Sequence, residues 1–176
     1  MVHCQTVLEK RLGARSLRNV AIADKDRSKS NPVCSRLNLE RLESFEVVEE
    51  QFKEWGITLR NAIALQPSNA AYPPHSGSTL LMGAPRDGWM ELVFKRPLHY
   101  FSCHVTSSQP IILSAYDRQG NLIARDELPQ ANLAESNSSL PPNAPLYATS
   151  SRNNIARISI YAFDGQLTVS EVNFCF

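Results

Sequence analysis

Short runs of alternating apolar and polar residues, separated by proline and glycine, constrain this 176-residue chain more than any other feature. Apolar residues at every second position indicate a β-strand, because successive side chains of a strand point to opposite faces. Residues 90–94 and 155–163 show this period clearly. No run of about 18 apolar residues occurs, so no transmembrane helix is expected. The pattern predicts an all-β protein.

Seven or eight such strands are expected after residue 35. They comprise residues 36–42, 57–65, 90–94, 98–106, 111–116, 122–125, 155–163 and 167–176. Residues 47–55 favour one or two helical turns ended by Gly56, and residues 126–145 form the longest irregular stretch. Short strands with turn residues between them are typical of an antiparallel β-sandwich.

The charge divides the chain into two parts. The first 36 residues hold eight Lys or Arg and three Asp or Glu, whereas the whole chain has a formal charge of +1. We therefore interpret residues 1–35 as a basic, flexible N-terminal extension and residues 36–176 as the β-sandwich domain. The extension is either a docking arm for an acidic partner, a targeting peptide or a disordered tail. The small overall charge provides no argument for binding nucleic acid.

Motifs of known enzyme chemistry are missing from the sequence. It contains no Gly-x-Ser-x-Gly elbow, no phosphate-binding glycine loop and no dinucleotide fingerprint. None of the four histidines, at positions 3, 75, 99 and 104, has a metal-ligand spacing to another. Cys103 is either a nucleophile served by a base on another strand or a core residue, and its apolar neighbours favour the core. The sequence predicts a protein that is not an enzyme.

The four cysteines show no pairing motif. Residues 1–5 lack the apolar stretch of a secretory signal, so free thiols and a cytoplasmic location are the default expectation. Cys103 and Cys175 lie on separate predicted strands and could meet only if those strands are neighbours.

The order of several motifs resembles that of galactose-binding-like jelly-roll domains. These motifs are Leu39-Glu40-Arg41-Leu42, Trp55-Gly56-Ile57-Thr58-Leu59, Arg96-Pro97-Leu98 after strand 90–94, residues 114–122 ending in Gly120-Asn121-Leu122, and residues 154–160 and 169–174. The resemblance covers residues 36–176. It implies a jelly-roll β-sandwich and a bacterial secreted or envelope location, as in proteins with sorting signals at their C-termini.

The resemblance also implies two kinds of site. Members often hold a structural calcium between the first and last strands, and the matching positions here are Glu40 and Glu171, where the family usually has Asp at the second. Members also bind ligands through loops at one end of the sandwich. The residues here with suitable rings or planar polar groups are Trp89, Arg86, Asp87, Tyr72, His75, Asn143, Tyr147 and Arg152. Trp89 is preferred because it follows a turn, and the alternative is that it caps the core.

These observations predict a non-catalytic binding module that recognises carbohydrate through loops at one end of the sandwich. The alternative is a protein-interaction or assembly subunit that uses the basic arm or a sheet face, with Tyr100 and Tyr161 as outward-facing candidates. The expected partner is a carbohydrate or another protein, not nucleic acid. No cofactor is expected to be required, and the structural calcium at Glu40 and Glu171 is implied by the resemblance alone.

Overall fold

The computed structural model describes residues 33–83, 88–163 and 165–176, and these form two antiparallel β-sheets around a shared core. The predicted basic extension, residues 1–35, lies outside the described residues except for its last three. The described strands are β1 Cys34–Arg36, β2 Ile57–Arg60, β3 Ala62–Leu65, β4 Leu80–Gly83, β5 Trp89–Leu98, β6 Tyr100–Ser107, β7 Ile111–Tyr116, β8 Leu122–Leu128, β9 Ala144–Thr149, β10 Ile155–Tyr161 and β11 Leu167–Cys175. Short 3-10 turns span Leu39–Arg41 and Lys53–Trp55.

The first sheet has the strand order β3-β4-β11-β6-β9, and β1 pairs with the C-terminal half of β11. The second sheet has the order β2-β5-β10-β7-β8. Most neighbouring strands are distant in sequence, so the chain passes repeatedly from one sheet to the other. The predicted all-β antiparallel sandwich is confirmed. Among the described residues, no helix is long and apolar enough to cross a membrane.

Alternation along the strands builds the core as the sequence predicts. In β5, Met90, Leu92 and Phe94 are buried, while the residues between them are only partly buried. Phe94 contacts Phe101 of β6 and Phe174 of β11 at ring-centroid distances of 6.1 and 6.4 Å. These rings join the two sheets, and burial of such large apolar side chains is the main favourable term in folding.

The segment 57–65, predicted as one strand, is two strands in different sheets. The chain changes sheets at Asn61, whose φ of 59° lies in the left-handed region. Asparagine tolerates that region better than most residues. Its Nδ2 donates a hydrogen bond to the carbonyl oxygen of Trp89 at 2.9 Å, which fixes the corner.

Three further elements differ from the sequence prediction. The predicted strand 36–42 is a 3-10 turn, capped by the Asn38 side chain and preceded by β1. The strands β4 and β9 were not predicted, because β4 is only four residues long and β9 begins within a segment rich in proline and serine. The helical region before Gly56 is confirmed as a single 3-10 turn, with Gly56 at φ 72°.

The expectation of free cysteines is wrong for one pair. Cys34 of β1 and Cys175 of β11 face each other in the strand register and form a disulfide bond. The sequence could not predict this pairing, because the two cysteines are 141 residues apart and belong to no spacing motif. Cys103 is the free cysteine of the described residues, and burial raises the pKa of its thiol. This environment confirms its role as a core residue and disfavours a thiolate nucleophile.

The disulfide closes a very long loop, so its removal is expected to destabilise the domain strongly. In C34S/C175S, the free energy of unfolding should fall by about 2–5 kcal/mol, because the unfolded chain regains its loop-closure entropy. Urea unfolding with and without reductant measures this. Reductant should destabilise the parent and leave the double variant unchanged; equal stability of the oxidised parent and the variant would contradict the prediction.

The hairpin between β7 and β8 provides a test based on pH. Hydrogen bonds from the Asn121 side chain, and from backbone N–H groups of Asn121, Gln119 and Gly120, lower the pKa of Asp117. A carboxyl with a depressed pKa stabilises the fold above its unfolded-state pKa of about 3.9 and loses this contribution as the pH falls further. Thermal unfolding of D117N should therefore depend less on pH below about 4 than that of the parent. The control is E49Q, which changes an exposed carboxyl. If the melting temperature of D117N depended on pH below about 4 as strongly as that of the parent, the stabilising role of the Asp117 carboxylate would be refuted.

Candidate functional site

A long loop crosses the outer face of the first sheet. We call residues 66–79 the strap. Its Pro73 carbonyl accepts a hydrogen bond from Asn143 Nδ2 at 2.8 Å, and its Ala71 carbonyl accepts one from the Ala134 N–H at 3.0 Å. The His75 ring stacks on that of His104 in β6, with centroids 3.9 Å apart and an interplanar angle of 18°. The strap therefore covers the centre of a sheet face that would otherwise be open.

Glu171 is the centre of a polar cluster beneath the strap. It lies in a β-bulge of β11, where the register shifts between Ser170 and Asn173, and its φ is 53°. A bulge of this kind redirects a side chain. Glu171 Oε1 accepts a hydrogen bond from Arg36 Nη1 at 2.8 Å, and Oε2 pairs with Nδ1 of His75. The Glu171 side chain is mostly buried, whereas those of Arg36 and His75 are 51% and 40% exposed.

His104 contributes a second imidazole to this cluster. Its Nδ1 lies 3.4 Å from Glu171 Oε2, but without hydrogen-bond geometry, and the atom is buried with no hydrogen-bond partner. Burial, followed by the charge of His75, lowers the pKa of His104, although Glu171 opposes the shift. The ring is therefore held in its neutral form. None of this cluster was predicted as a set, because its members lie on β1, the strap, β6 and β11.

Glu40 holds the end of the strap. Its carboxylate accepts hydrogen bonds from the Ser78 N–H, the Ser78 hydroxyl and the Thr79 N–H at 2.8–2.9 Å. These bonds, with the Thr79 and Ser78 backbone groups contributing most, lower the pKa of Glu40. Glu40 and Glu171 line one cavity of about 220 Å³, together with Arg36. Calcium prefers six to eight oxygens, whereas these carboxylates already bind donors, so the calcium site stays a prediction.

Three of the predicted ligand residues are brought together under or within the strap. Tyr72 is only 7% exposed, and it lines a cavity beside the strap. His75 belongs to the Glu171 cluster. Asn143 donates to the strap and accepts a hydrogen bond from the Ser170 hydroxyl, while its own N–H donates to Thr106. This group stabilises the strap.

Trp89 lies elsewhere, on the outer face of the second sheet. It is half-buried at the start of β5 and pairs in register with Tyr161 of β10. The Tyr161 ring is 4.9 Å from that of Phe163, which is 47% exposed. The predicted residues Arg86 and Asp87, which precede Trp89, lie outside the described residues. Side chains on one face of an antiparallel pair are about 5 Å apart at their Cβ atoms, so the side chains of Trp89 and Tyr161 are neighbours on this face.

Tyr147 and Arg152 are at other places in the fold. Tyr147 is on the outer face of β9 in the first sheet, where its N–H donates to Asp126. Arg152 is in the turn after β9, near the Leu98 end of β5, whereas Trp89 is at the opposite end, about 30 Å away at 3.3 Å per residue. The eight predicted ligand residues thus do not form one cluster at one end of the sandwich.

A second cavity, of about 200 Å³, lies at the other side of the strap. Its wall includes an exposed ring and three amides, from Phe45, Gln66, Asn69 and Gln166. Phe45 is 80% exposed and has a φ of 69°. Tyr72, one of the predicted ligand residues, also lines this cavity. The other residues were not predicted, since they come from the segment before β2, the strap and the turn before β11.

Comparisons with known proteins give similar folds only. No family model matches the chain, and no curated protein matches it significantly. A family 29 carbohydrate-binding module from Piromyces equi is 8% identical, with a TM-score of 0.45, and covers 82% of this chain and 91% of the module. A DUF4465 family protein from Bacteroides caccae is 9% identical, with a TM-score of 0.45, and the match covers 88% of this chain and 90% of that protein. TmCBM61, solved with β-1,4-galactotriose, is 11% identical, with a TM-score of 0.36, and the match covers 70% of this chain and 88% of TmCBM61. Such distant likeness carries no information on ligands, so function is argued from side chains.

Asn143 is expected to control how firmly the strap is held. N143A removes two side-chain hydrogen bonds and places alanine at a φ of 55°, which should cost about 2–3 kcal/mol of unfolding free energy. N143G loses the same bonds without the backbone strain and should recover about 1 kcal/mol. Urea unfolding measures stability, and amide hydrogen exchange in residues 66–79 should accelerate in both variants. Unchanged exchange there would show that Asn143 does not hold the strap.

Proposed function

We propose that this chain is a non-catalytic carbohydrate-binding module whose ligand lies over Trp89 and Tyr161. The observation that carries the proposal is the pairing of these two half-buried aromatic residues in register on one sheet face. Sugar rings present apolar C–H faces that stack on aromatic side chains. The Phe163 ring adds a further aromatic face beside Tyr161.

Charged groups for hydrogen bonding lie in the next rows of the same face. Glu91 is two residues from Trp89 on β5 and pairs with Arg157 and, at 3.6 Å, with Arg60. The Arg157 guanidinium also lies 4.1 Å above the Tyr116 ring centroid, so its position is fixed from both sides. Carboxylates and guanidinium groups form hydrogen bonds with pairs of sugar hydroxyls. The contacts between Glu91 and Arg157 fix the orientation of both side chains before a ligand binds, which lowers the entropic cost of binding.

The outer face of the first sheet is less suited to a long ligand. The strap covers its centre, Tyr72 is buried, and each remaining cavity is about 200–220 Å³. Cavities that enclose drug-sized ligands are about 300–1,000 Å³, so these have room for something smaller. The face that carries Trp89 has no such cover among the described residues.

The disulfide supports a compartment in which glycans occur. Disulfides persist in secreted, periplasmic and cell-surface proteins and are rare in the cytosol. The Cys34–Cys175 bond therefore favours a secreted or envelope location over the cytoplasmic default. This is the location implied by the galactose-binding-like resemblance.

A protein-interaction role is the second candidate, and a different surface favours it. Phe45 and Val47 are 80% and 58% exposed. They lie next to the edge strand β3, because Val47 forms an antiparallel bridge with Ile63 of that strand. Exposed apolar side chains beside a sheet edge are typical of protein contacts.

A glycan array probed with the full chain tests the two candidates. The parent should bind at least one glycan, and W89A and Y161A should each weaken that binding by about tenfold or more, since a lost ring contact of about 1.4 kcal/mol corresponds to tenfold. The matched control is F45A, which removes an exposed ring from the other surface and should bind as the parent does.

The remaining outcomes are equally informative. Loss of glycan binding in F45A, with binding retained in W89A, would place the site at the second cavity, which Phe45 lines, and would refute the proposed surface. A blank array at high protein concentration, with the parent folded by circular dichroism, would reject carbohydrate binding and favour the protein-interaction role.

A further inference from the structure

We propose that His75, His104 and Glu171 bind one divalent transition-metal ion of the zinc class. The cluster lies on the first sheet, so the inference does not depend on carbohydrate binding over Trp89. It is distinct from the calcium prediction, which uses Glu40 with Glu171 and an all-oxygen ligand set.

The positions of the ligand atoms suit such an ion. One nitrogen of each imidazole and one oxygen of Glu171 lie within 4.8 Å of one another. Zinc at about 2.1 Å from each ligand in a tetrahedral site needs ligand atoms roughly 3.4 Å apart. His104 Nδ1 and Glu171 Oε2 are already 3.4 Å apart. The His75 ring, which is stacked on His104, has to rotate for one ion to lie in the planes of both imidazoles, and its place on the exposed strap allows this.

The contacts of the cluster already bring the ligand atoms together, and a bound ion would replace the contact between His75 Nδ1 and Glu171 Oε2. Arg36 occupies Glu171 Oε1 and holds the carboxylate so that Oε2 is directed at both imidazoles. Such a second partner orients ligating carboxylates in metal sites. His104 Nδ1 is buried and unpartnered, which is costly for a polar atom and unusual in a native fold. A metal ion gives that nitrogen the partner it lacks.

The donor set selects the class of metal. Two imidazoles and one carboxylate suit zinc and its neighbours, whereas calcium and magnesium prefer oxygen ligands. His75 is 40% exposed, so a fourth position is open to water. The ion would link the strap to β6 and β11 and so fasten the strap to the sheet.

Zinc titration of the untagged full chain by calorimetry tests the proposal. His3 and Cys4 lie outside the described residues and can bind zinc themselves, so the H3A/C4S background is used. We expect one Zn²⁺ per chain and a zinc-dependent rise in melting temperature. H75Q, H104Q and E171Q should each weaken binding at least tenfold and abolish that rise. H99Q removes a histidine outside the cluster and should change neither.

Two readouts separate the ligand role from a structural one. Melting in the absence of metal shows whether each variant is folded, and H75Q, on the exposed strap, is the variant least expected to disturb the core. Co²⁺ should give the visible absorption of a tetrahedral site in the background chain and not in H75Q. The proposal would be overturned by a lack of zinc binding, by zinc binding in H75Q and H104Q as tight as in the background chain, or by displacement of zinc by excess Ca²⁺.

Discussion

The pairing of β11 with three other strands is the constraint on which the rest of the structure depends. Its N-terminal half pairs with β4, its C-terminal half pairs with β1, and its other edge pairs with β6 along most of its length. The change of partner from β4 to β1 coincides with the bulge at Glu171. The same strand therefore carries the core residue Phe174, the disulfide and the carboxylate of the polar cluster.

The strap follows from this arrangement. A bulge redirects the Glu171 side chain to the outer face, and a carboxylate there needs partners because it is mostly buried. Arg36 and His75 provide them, while Glu40 and Asn143 bind the strap at other points. The first sheet thus has a covered, polar outer face, and the second has an open, aromatic one. This difference is why the carbohydrate surface and the metal cluster are proposed on opposite sides of the domain.

The buried core could be predicted from the sequence more fully than the candidate sites could. Alternation of side chains is local, so residues such as Met90, Leu92 and Phe94 could be assigned to the core directly from their spacing. The predicted ligand residues were grouped by chemistry, and the fold distributes them: Tyr72 is buried, Arg152 and Trp89 lie at opposite ends of β5, and Arg86 and Asp87 are outside the described residues. Chemistry alone cannot show which loops meet.

By itself, the sequence determined the all-β class, most of the strands and the buried face of each, because side-chain periodicity and turn residues act over a few neighbours. Tertiary structure alone decided the split of residues 57–65 between two sheets, the Cys34–Cys175 bond and the meeting of His75, His104 and Glu171. Each of these depends on strand order, which brings residues from opposite ends of the chain into register. Strand order is set by the packing of the whole core, and no local pattern encodes it.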